Sequence, residues 1–137
     1  MSDAPEQTCR ARRAMAADPD IVLNTAADPA RAQAWLPAPA HLVHHGAGTV
    51  DIAWSANGPA RRYEIRLRPE AHTLEWHPVD HDGWPGLLRV TDHGAGSSEA
   101  ELQVDTGGRH PEDDVRPVLE RALEGLAGEV DQNFNVS

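Results

Sequence analysis

The sequence predicts an α+β fold in which about seven antiparallel strands precede one long helix, with two short helices after the first strand. Three observations lead to this prediction. Apolar residues between positions 42 and 106 alternate with polar ones, as in strands that are buried on one face. After position 112 they recur every three or four residues, as in an amphipathic helix. Near the start, two aspartate-proline pairs mark the beginnings of two short helices.

The first strand is predicted near residues 8–15, where the pattern is weak. Asp18 and Asp28 each precede a proline, so each can cap a helix whose first position tolerates the missing N–H of that proline. Pro37 is expected to end the second helix, because proline restricts the residue before it to extended backbone. The residues expected to be buried on these helices are Ile21, Val22, Ala26, Ala32 and Trp35.

The middle of the chain contains alternating segments separated by turn sequences. The residues that share an inward face are Val50, Ile52 and Trp54, then Tyr63, Ile65 and Leu67, then Leu74 and Trp76, then Trp84, Gly86, Leu88 and Val90, and last Ala100, Leu102 and Val104. Turns are predicted at ANGP, PEAH, HDG and DHGAGS. These segments are therefore predicted to be antiparallel strands with one wet face.

Strand register follows from keeping inward residues opposite inward residues. The resulting pairs are Ile65 with Trp76 and Arg66 with Glu75 in the hairpin that turns at 69–72, and Leu88 with Leu102 and Arg89 with Glu101 in the hairpin that turns at 92–97. Both registers place opposite charges across from each other on the wet face. Other arginines are interpreted as protecting strand edges, namely Arg10, Arg12, Arg13, Arg61 and Arg62.

The last helix has the clearest pattern in the sequence. Its apolar stripe consists of Val115, Val118, Leu119, Ala122, Leu123, Leu126, Ala127 and Val130. Acidic residues precede the stripe, where the positive end of the helix dipole favours them. Pro117 is tolerated if regular helix begins near Asp114, because it then lies in the first turn. Phe134 is expected to pack at the far end.

Length and composition limit the classes of protein to consider. The 137 residues fit one domain, 1–137, in which 1–7 and 132–137 are expected to be flexible. The formal charge of −10 argues against a nucleic-acid partner. No apolar run reaches the ~20 residues of a membrane span, and no secretory signal is recognised, so a cytoplasmic location is expected. A single cysteine, Cys9, cannot form an intrachain disulfide.

Two histidine-rich segments raise the question of a metal site. In HLVHH, a regular strand would place His41 and His45 on one face and His44 on the other, so the three cannot converge on one ion. The second segment, HPVDHD, contains His77, Asp80, His81 and Asp82, which are expected to be solvated. We predict no metal, because neither segment supplies a converging set of ligands and no cysteine adds to them. We also predict no cofactor, and the sequence contains neither a phosphate-binding loop nor a G-x-S-x-G nucleophile motif.

Two spaced motifs carry a family resemblance. They are A-x-P-x-x-V at Ala17, Pro19 and Val22, and D-P-x-R-x-x-x-W-L-P at Asp28, Pro29, Arg31, Trp35, Leu36 and Pro37, supported by GWPGLLRV and the terminal helix. From about residue 8 to 131 the chain resembles the SRPBCC superfamily, the START-like and birch-pollen-allergen-like helix-grip proteins that include polyketide cyclase/dehydrases. The matched residues mark the scaffold. The resemblance implies a helix-grip fold: a curved sheet wrapped on the C-terminal helix, short helices at its open end, and an apolar cavity between them.

The candidate site residues follow from this implied cavity. Alternation places Trp54, Tyr63 and Trp76 on its wall, where amphipathic rings would offer N–H and O–H donors to a ligand. Trp35 has two interpretations, either packing the short helices onto the core or forming the mouth of the cavity. The predicted ligand-binding residues are Trp35, Trp54, Tyr63, Trp76, Leu88, Leu102 and Leu123.

Three functional hypotheses remain open. The first is binding of a small hydrophobic, lipid-like or polyketide-like molecule. A homodimer is considered as the state of assembly. The second is a cyclase or dehydratase in which Tyr63 or His44 transfers a proton. The third is a protein-interaction module similar to family members that activate a heat-shock chaperone, which needs an exposed apolar patch around Val79 and Leu87. Binding is favoured because the inward positions carry almost no acid or base.

Overall fold

The structure, a computed structural model, describes residues 8–36, 39–80, 84–107 and 112–135. In these ranges the strands are β1 (Thr8–Met15), β2 (His41–Gly46), β3 (Thr49–Ala53), β4 (Ala60–Arg68), β5 (Thr73–Pro78), β6 (Gly86–Gly94) and β7 (Ser97–Asp105). The helices are α1 (Pro19–Ala27), α2 (Ala32–Trp35), which continues a 3-10 turn at Pro29–Arg31, and α3 (Glu112–Asn135). The predicted turn at 81–83, Pro37 and the side chain of Phe134 lie outside the described residues.

The seven strands pair antiparallel in one curved sheet with the order β1-β7-β6-β5-β4-β3-β2. Both predicted registers are confirmed, since Ile65 lies opposite Trp76 and Leu88 lies opposite Leu102. The order leaves β1 and β2 at opposite edges, although they are consecutive strands in the chain. The segment between them must therefore cross the width of the sheet, and α1 and α2 lie in this crossing.

The ion pairs on the outer face differ in part from those expected. Arg89 Nη1 lies 3.9 Å from Glu101 Oε1, in agreement with the predicted pair. Arg66 lies opposite Glu75, but the carboxylate of Glu75 is instead 3.2 Å from Nε of Arg68, two positions further along β4. This diagonal contact is accessible because a long side chain can lean along the strand to the neighbour of the residue opposite.

A β-bulge in β2 changes which histidines share a face. His41 pairs with Ala53 and His44 with Asp51, so an extra residue is inserted between these pairs. Because Ala53 and Asp51 are two residues apart on β3, His41 and His44 lie on the same face of the sheet. The prediction that His41 and His45 share a face was wrong, since one inserted residue inverts the alternation beyond it.

Helix α3 begins at Glu112, so Pro117 lies in its second turn and not in the first. A proline at this position removes the hydrogen bond that its N–H would donate to the carbonyl of Asp113. Asp113 is exposed, so water can satisfy that carbonyl. The helix extends to Asn135, into the segment 132–137 for which flexibility is predicted.

The packed core occupies one half of the sheet. It contains inner-face residues of β1, β6 and β7 together with residues of α1 and α3, among them Cys9, Met15, Val22, Leu23, Leu88, Val90, Ala100, Leu123, Leu126 and Val130. The Ser98 hydroxyl donates a buried 2.8 Å hydrogen bond to the carbonyl oxygen of Ala17, which ties β7 to the chain entering α1. On the other half, Val50, Ile52 and Ile65 are only partly buried. The helices therefore cover the sheet unevenly.

The grip of the sheet on α3 can be tested with Leu123→Ala. This change should lower the free energy of unfolding by about 2–5 kcal/mol, because Leu123 is only 1% exposed and its removal leaves a hole in the core. Urea unfolding followed by circular dichroism measures the loss. The exposed neighbour Glu124 provides a control, since Glu124→Ala should change stability by less than about 0.5 kcal/mol. A loss below about 1 kcal/mol for Leu123→Ala would show that the sheet does not hold α3 at this point.

The diagonal ion pair predicts an order of coupling energies. A double-mutant cycle on Arg68 and Glu75 with glutamine substitutions should give about 0.2–1 kcal/mol, the range of partly exposed pairs. The matched cycle on Arg66 and Glu75 should give a smaller value. Unfolding in urea at low salt measures both, and a larger coupling for Arg66 would contradict the observed contact.

Candidate functional site

A cavity of about 530 Å³ lies between the helices and the half of the sheet that the core does not fill. Its floor is the inner face of the central strands, including Val50, Ile52, Ile65, Leu74 and Trp76. Its roof comes from the helices and includes Ala26, Trp35, Val115, Val118, Leu119 and Ala122. The wall is predominantly apolar and aromatic, as in sites that bind small organic molecules.

Five of the seven predicted ligand-binding residues line this cavity: Trp35, Trp54, Tyr63, Trp76 and Leu102. Leu88 and Leu123 do not, and the structure corrects their placement. Both are fully buried in the packed core, because each lies where helix and sheet already touch. The apolar stripe of α3 thus divides, with Val118 and Leu119 facing the cavity and Leu123 filling the core.

Trp76 lies close to the neighbouring strand because the residue opposite it is a glycine. A Cβ at Gly86, the residue opposite Trp76 on β6, would overlap the Trp76 ring and the carbonyl oxygen of Gln103. Glycine therefore allows the indole to approach the backbone of β6 closely, while the same ring forms part of the cavity wall.

Tyr63 and Trp54 form a hydrogen-bonded aromatic pair at the cavity. Trp54 Nε1 donates to the Tyr63 hydroxyl oxygen at 2.8 Å, and the two rings meet edge to face with centroids 6.2 Å apart. Tyr63 is 2% exposed, whereas Trp54 follows the end of β3 and is 45% exposed at the rim. The indole N–H can only donate, so the Tyr63 oxygen accepts and its own O–H remains a donor. Within the described ranges this O–H has no acceptor.

Burial keeps Tyr63 in its neutral form. Loss of solvent raises the pKa of the phenol, against the opposing effects of the Trp54 hydrogen bond and the positive charge of Arg61. A raised pKa means that the hydroxyl retains its proton at neutral pH. Tyr63 therefore offers a hydrogen-bond donor to the cavity.

Arg61 is a cavity residue that the sequence interpretation missed. It had been assigned to the protection of a strand edge, but β4 lies between β3 and β5 and is not an edge strand. Arg61 pairs with Ile52, so it shares the inner face with Tyr63 and lines the cavity. Its Nη1 lies 3.7 Å from Asp80 Oδ1. The alternation of β4 contained this signal, since Arg61 and Tyr63 are two residues apart.

His44, a proton-transfer candidate in the sequence analysis, lies away from the cavity. The imidazole is exposed on the outer face, with Nδ1 4.0 Å from Asp51 Oδ2. Asp51 in turn accepts a 2.8 Å hydrogen bond from Nε of Arg62, and this bond lowers the pKa of the Asp51 carboxyl. The bulge in β2 contributes to this outward position, because it places His44 opposite Asp51, which lies on the outer face.

The described ranges contain no group of three or more His, Cys, Asp or Glu side chains that could hold a metal ion. His81 and Asp82, which belong to the second histidine-rich segment, lie outside those ranges. No helix in the described part of the chain is long and apolar enough to cross a membrane.

The segment that carries α2 forms one side of the cavity. Trp35 lines the cavity and packs against the core, and its Nε1 is buried without a hydrogen-bond partner in the described ranges. Arg31 forms ion pairs with Glu129 of α3 and with Asp28, which caps the 3-10 turn by accepting from Ala30 N at 3.0 Å. These contacts fasten α2 to α3.

Glycine in α3 allows the two helices to touch. A Cβ at Gly125 would lie 2.7 Å from the carbonyl oxygen of Ala34 and 2.9 Å from Cα of Trp35. Neither neighbour is a flexible side-chain end, so a larger residue there would have to push α2 away. At Gly128, one turn further along, nothing lies within 4 Å of the same position.

Comparisons with known proteins identify the fold. No protein-family model and no curated protein sequence matches the chain. Among solved structures, the Zhui aromatase/cyclase from Streptomyces sp. R1128 superposes with a TM-score of 0.66 at 16% identity, covering 94% of this chain and 96% of that one. A START superfamily protein from Mycobacterium smegmatis gives 0.67 at 12% identity, with coverages of 92% and 98%.

A third solved structure is larger than this chain. The di-domain ARO/CYC BexL gives a TM-score of 0.70 at 19% identity, with 94% of this chain covering 48% of that one. The similarity thus corresponds to about half of the di-domain protein. Together these likenesses confirm the helix-grip fold that the resemblance to the SRPBCC superfamily predicts.

The close approach of α2 and α3 predicts opposite effects at two glycines. Gly128→Ala should stabilise the protein by up to about 1 kcal/mol, because alanine favours an exposed helix interior. Gly125→Ala should destabilise it, because the gain in helix propensity is outweighed by displacement of Trp35. Urea unfolding measures both changes, and a Gly125→Ala variant as stable as Gly128→Ala would contradict the contact.

Proposed function

We propose that the protein binds a small, flat and largely apolar molecule in the cavity between the sheet and α3. The observation that carries this proposal is an apolar space of about 530 Å³ in a molecule whose other half is tightly packed. That volume lies within the roughly 300–1,000 Å³ of small-molecule sites. Aromatic side chains such as Trp76 suit a planar ligand, because rings can stack or meet edge to face.

The physical cost of an empty cavity supports this proposal. Unfilled apolar space weakens a fold, because its lining atoms lack the dispersion contacts that a packed core provides. Water is a poor substitute on a wall with few polar groups. An apolar molecule that enters the cavity buries its own surface and restores those contacts, so both effects favour binding.

The names of two structural neighbours suggest a chemical class. One is called an aromatase/cyclase, and another a di-domain ARO/CYC. A polyketide-like aromatic compound is therefore the ligand class that we propose for this cavity.

A second candidate function is a cyclase-like or dehydratase-like reaction, and the Tyr63 hydroxyl is the observation that favours it. Its O–H points to no acceptor in the described ranges, so it could donate to a substrate oxygen. Other proton-transfer groups are scarce, since the described cavity wall contains no histidine and its one carboxylate, Asp28, is engaged by Ala30 N–H and Arg31. We therefore prefer binding to catalysis.

The interaction hypothesis gains less support. It depended on Val79 and Leu87 forming an exposed apolar patch. Val79 is exposed but Leu87 is half-buried, which leaves this hypothesis with one exposed residue of the two. A homodimer and a cytoplasmic location stay predictions.

Binding can be tested with an uncharged planar probe, methyl anthracene-2-carboxylate. It should quench tryptophan emission saturably, because Trp35, Trp54 and Trp76 all line the cavity. Val118→Trp, which places an indole in the cavity from α3, should weaken binding by at least about tenfold, the effect of losing a modest part of the buried ligand surface.

The matched control is Glu124→Trp, which adds the same side chain to the exposed face of α3. It should leave probe affinity unchanged, and circular dichroism should show that both variants fold. Failure of the unaltered protein to bind both this ester and its parent acid saturably, or equal affinity of the two variants, would overturn the proposed function.

A further inference from the structure

We infer that the cavity selects ligands that carry an acidic group, and that Arg61 and Tyr63 hold this group. The inference rests on the proposed function, because it specifies the chemistry of the molecule bound there. The expected ligand is a planar apolar acid whose carboxylate or phenolate oxygen meets the guanidinium and the phenol at one end of the cavity.

The position of Arg61 is the first support for this inference. Charged residues on β4 otherwise lie on the outer face, where Arg62 pairs with Asp51 and Arg68 with Glu75. Arg61 instead lies on the inner face, two residues from Tyr63 and opposite the apolar Ile52. Residues so spaced are about 7 Å apart along a strand, so two long side chains can converge on one group.

The second support is that both side chains present donors. The Tyr63 oxygen already accepts from Trp54, so the hydroxyl can turn its proton towards a ligand. Arg61 carries five N–H groups in a planar fork that suits a carboxylate. A ligand with acceptor oxygens can accept hydrogen bonds from both residues, whereas a ligand with only donors can accept from neither.

The contact between Arg61 and Asp80 does not prevent this. The Arg61–Asp80 contact is 3.7 Å, longer than a hydrogen bond, and the Asp80 side chain is 57% exposed. Water and salt screen an ion pair that is open to solvent. An anion in the cavity would meet the same guanidinium in an environment of lower dielectric, where charge–charge attraction is stronger.

Desolvation makes the site selective. An apolar molecule that enters the cavity displaces water from Arg61. If the molecule has no acceptor atom, the hydrogen bonds between Arg61 and water are lost without replacement. An ester carbonyl returns neutral hydrogen bonds, whereas a carboxylate returns charge-assisted ones, which are stronger. The acid should therefore bind more tightly than its ester, even though the net charge of −10 repels anions at long range.

The test compares anthracene-2-carboxylate with its methyl ester, using quenching of tryptophan emission at pH 7.5. The unaltered protein should bind the acid at least about tenfold more tightly, the difference expected for one charged hydrogen bond. Arg61→Gln should abolish this preference and leave ester affinity within about twofold. Arg61→Lys, which keeps the charge but not the fork, should retain part of the preference.

The neighbouring arginine supplies the matched control. Arg62→Gln removes the same charge from the outer face of the same strand, so it changes long-range repulsion of the anion equally. It should preserve both affinities. If Arg61→Gln keeps the acid preference, or weakens acid and ester alike, the inference is overturned. A protein that binds the ester without preferring the acid refutes only this inference, whereas failure to bind either probe refutes the proposed function as well.

Discussion

The structure depends on one constraint: the apolar face of the sheet is wider than the helices that cover it. Helix α3 packs mainly along β1, and α1 covers part of β6, so the inner face is sealed only on that side. There, Leu88, Val90 and Ala100 are fully buried. Beneath the remaining strands, Val50 and Ile52 stay partly exposed to an open space. The cavity is the consequence of this mismatch in width.

Strand order explains why short helices lie beside the cavity. Because β1 and β2 lie at opposite edges, the chain joining them must span the sheet. Asp28 caps the 3-10 turn in this crossing, and the Arg31–Glu129 ion pair fastens it to α3. The lack of a side chain at Gly125 lets Trp35 approach α3. The cavity therefore has a roof formed by helices that these contacts hold together, and a floor formed by the sheet.

Much of the fold could be predicted from the sequence because alternation and turn residues are local signals. The registers that pair Ile65 with Trp76 and Leu88 with Leu102 followed from parity together with the positions of the two turns. The bulge in β2 could not be predicted in this way, because an inserted residue leaves no mark in the pattern of HLVHH. Glu75 contacts Arg68 and not Arg66, because the long arginine side chain extends along the strand. Parity says which face a side chain lies on, but not how far it extends.

The candidate site was predicted less completely than the fold. Parity placed Trp54, Tyr63 and Trp76 on the inner face, where the family resemblance implies a cavity. Parity cannot tell an inward residue that contacts a helix from one that faces open space. Leu88 and Leu123 were included for that reason. Arg61 was missed because its charge suggested solvent, although its position on β4 gave it the same parity as Tyr63.

The open space itself is the central claim, and a crystal structure determined under xenon pressure tests it most directly. Xenon enters dry apolar cavities and is visible as strong electron density. Our account predicts xenon between the inner face of the central strands and α3, close to Ile65, Trp76 and Val118. Density showing those side chains packed against one another, with no xenon between them, would contradict it.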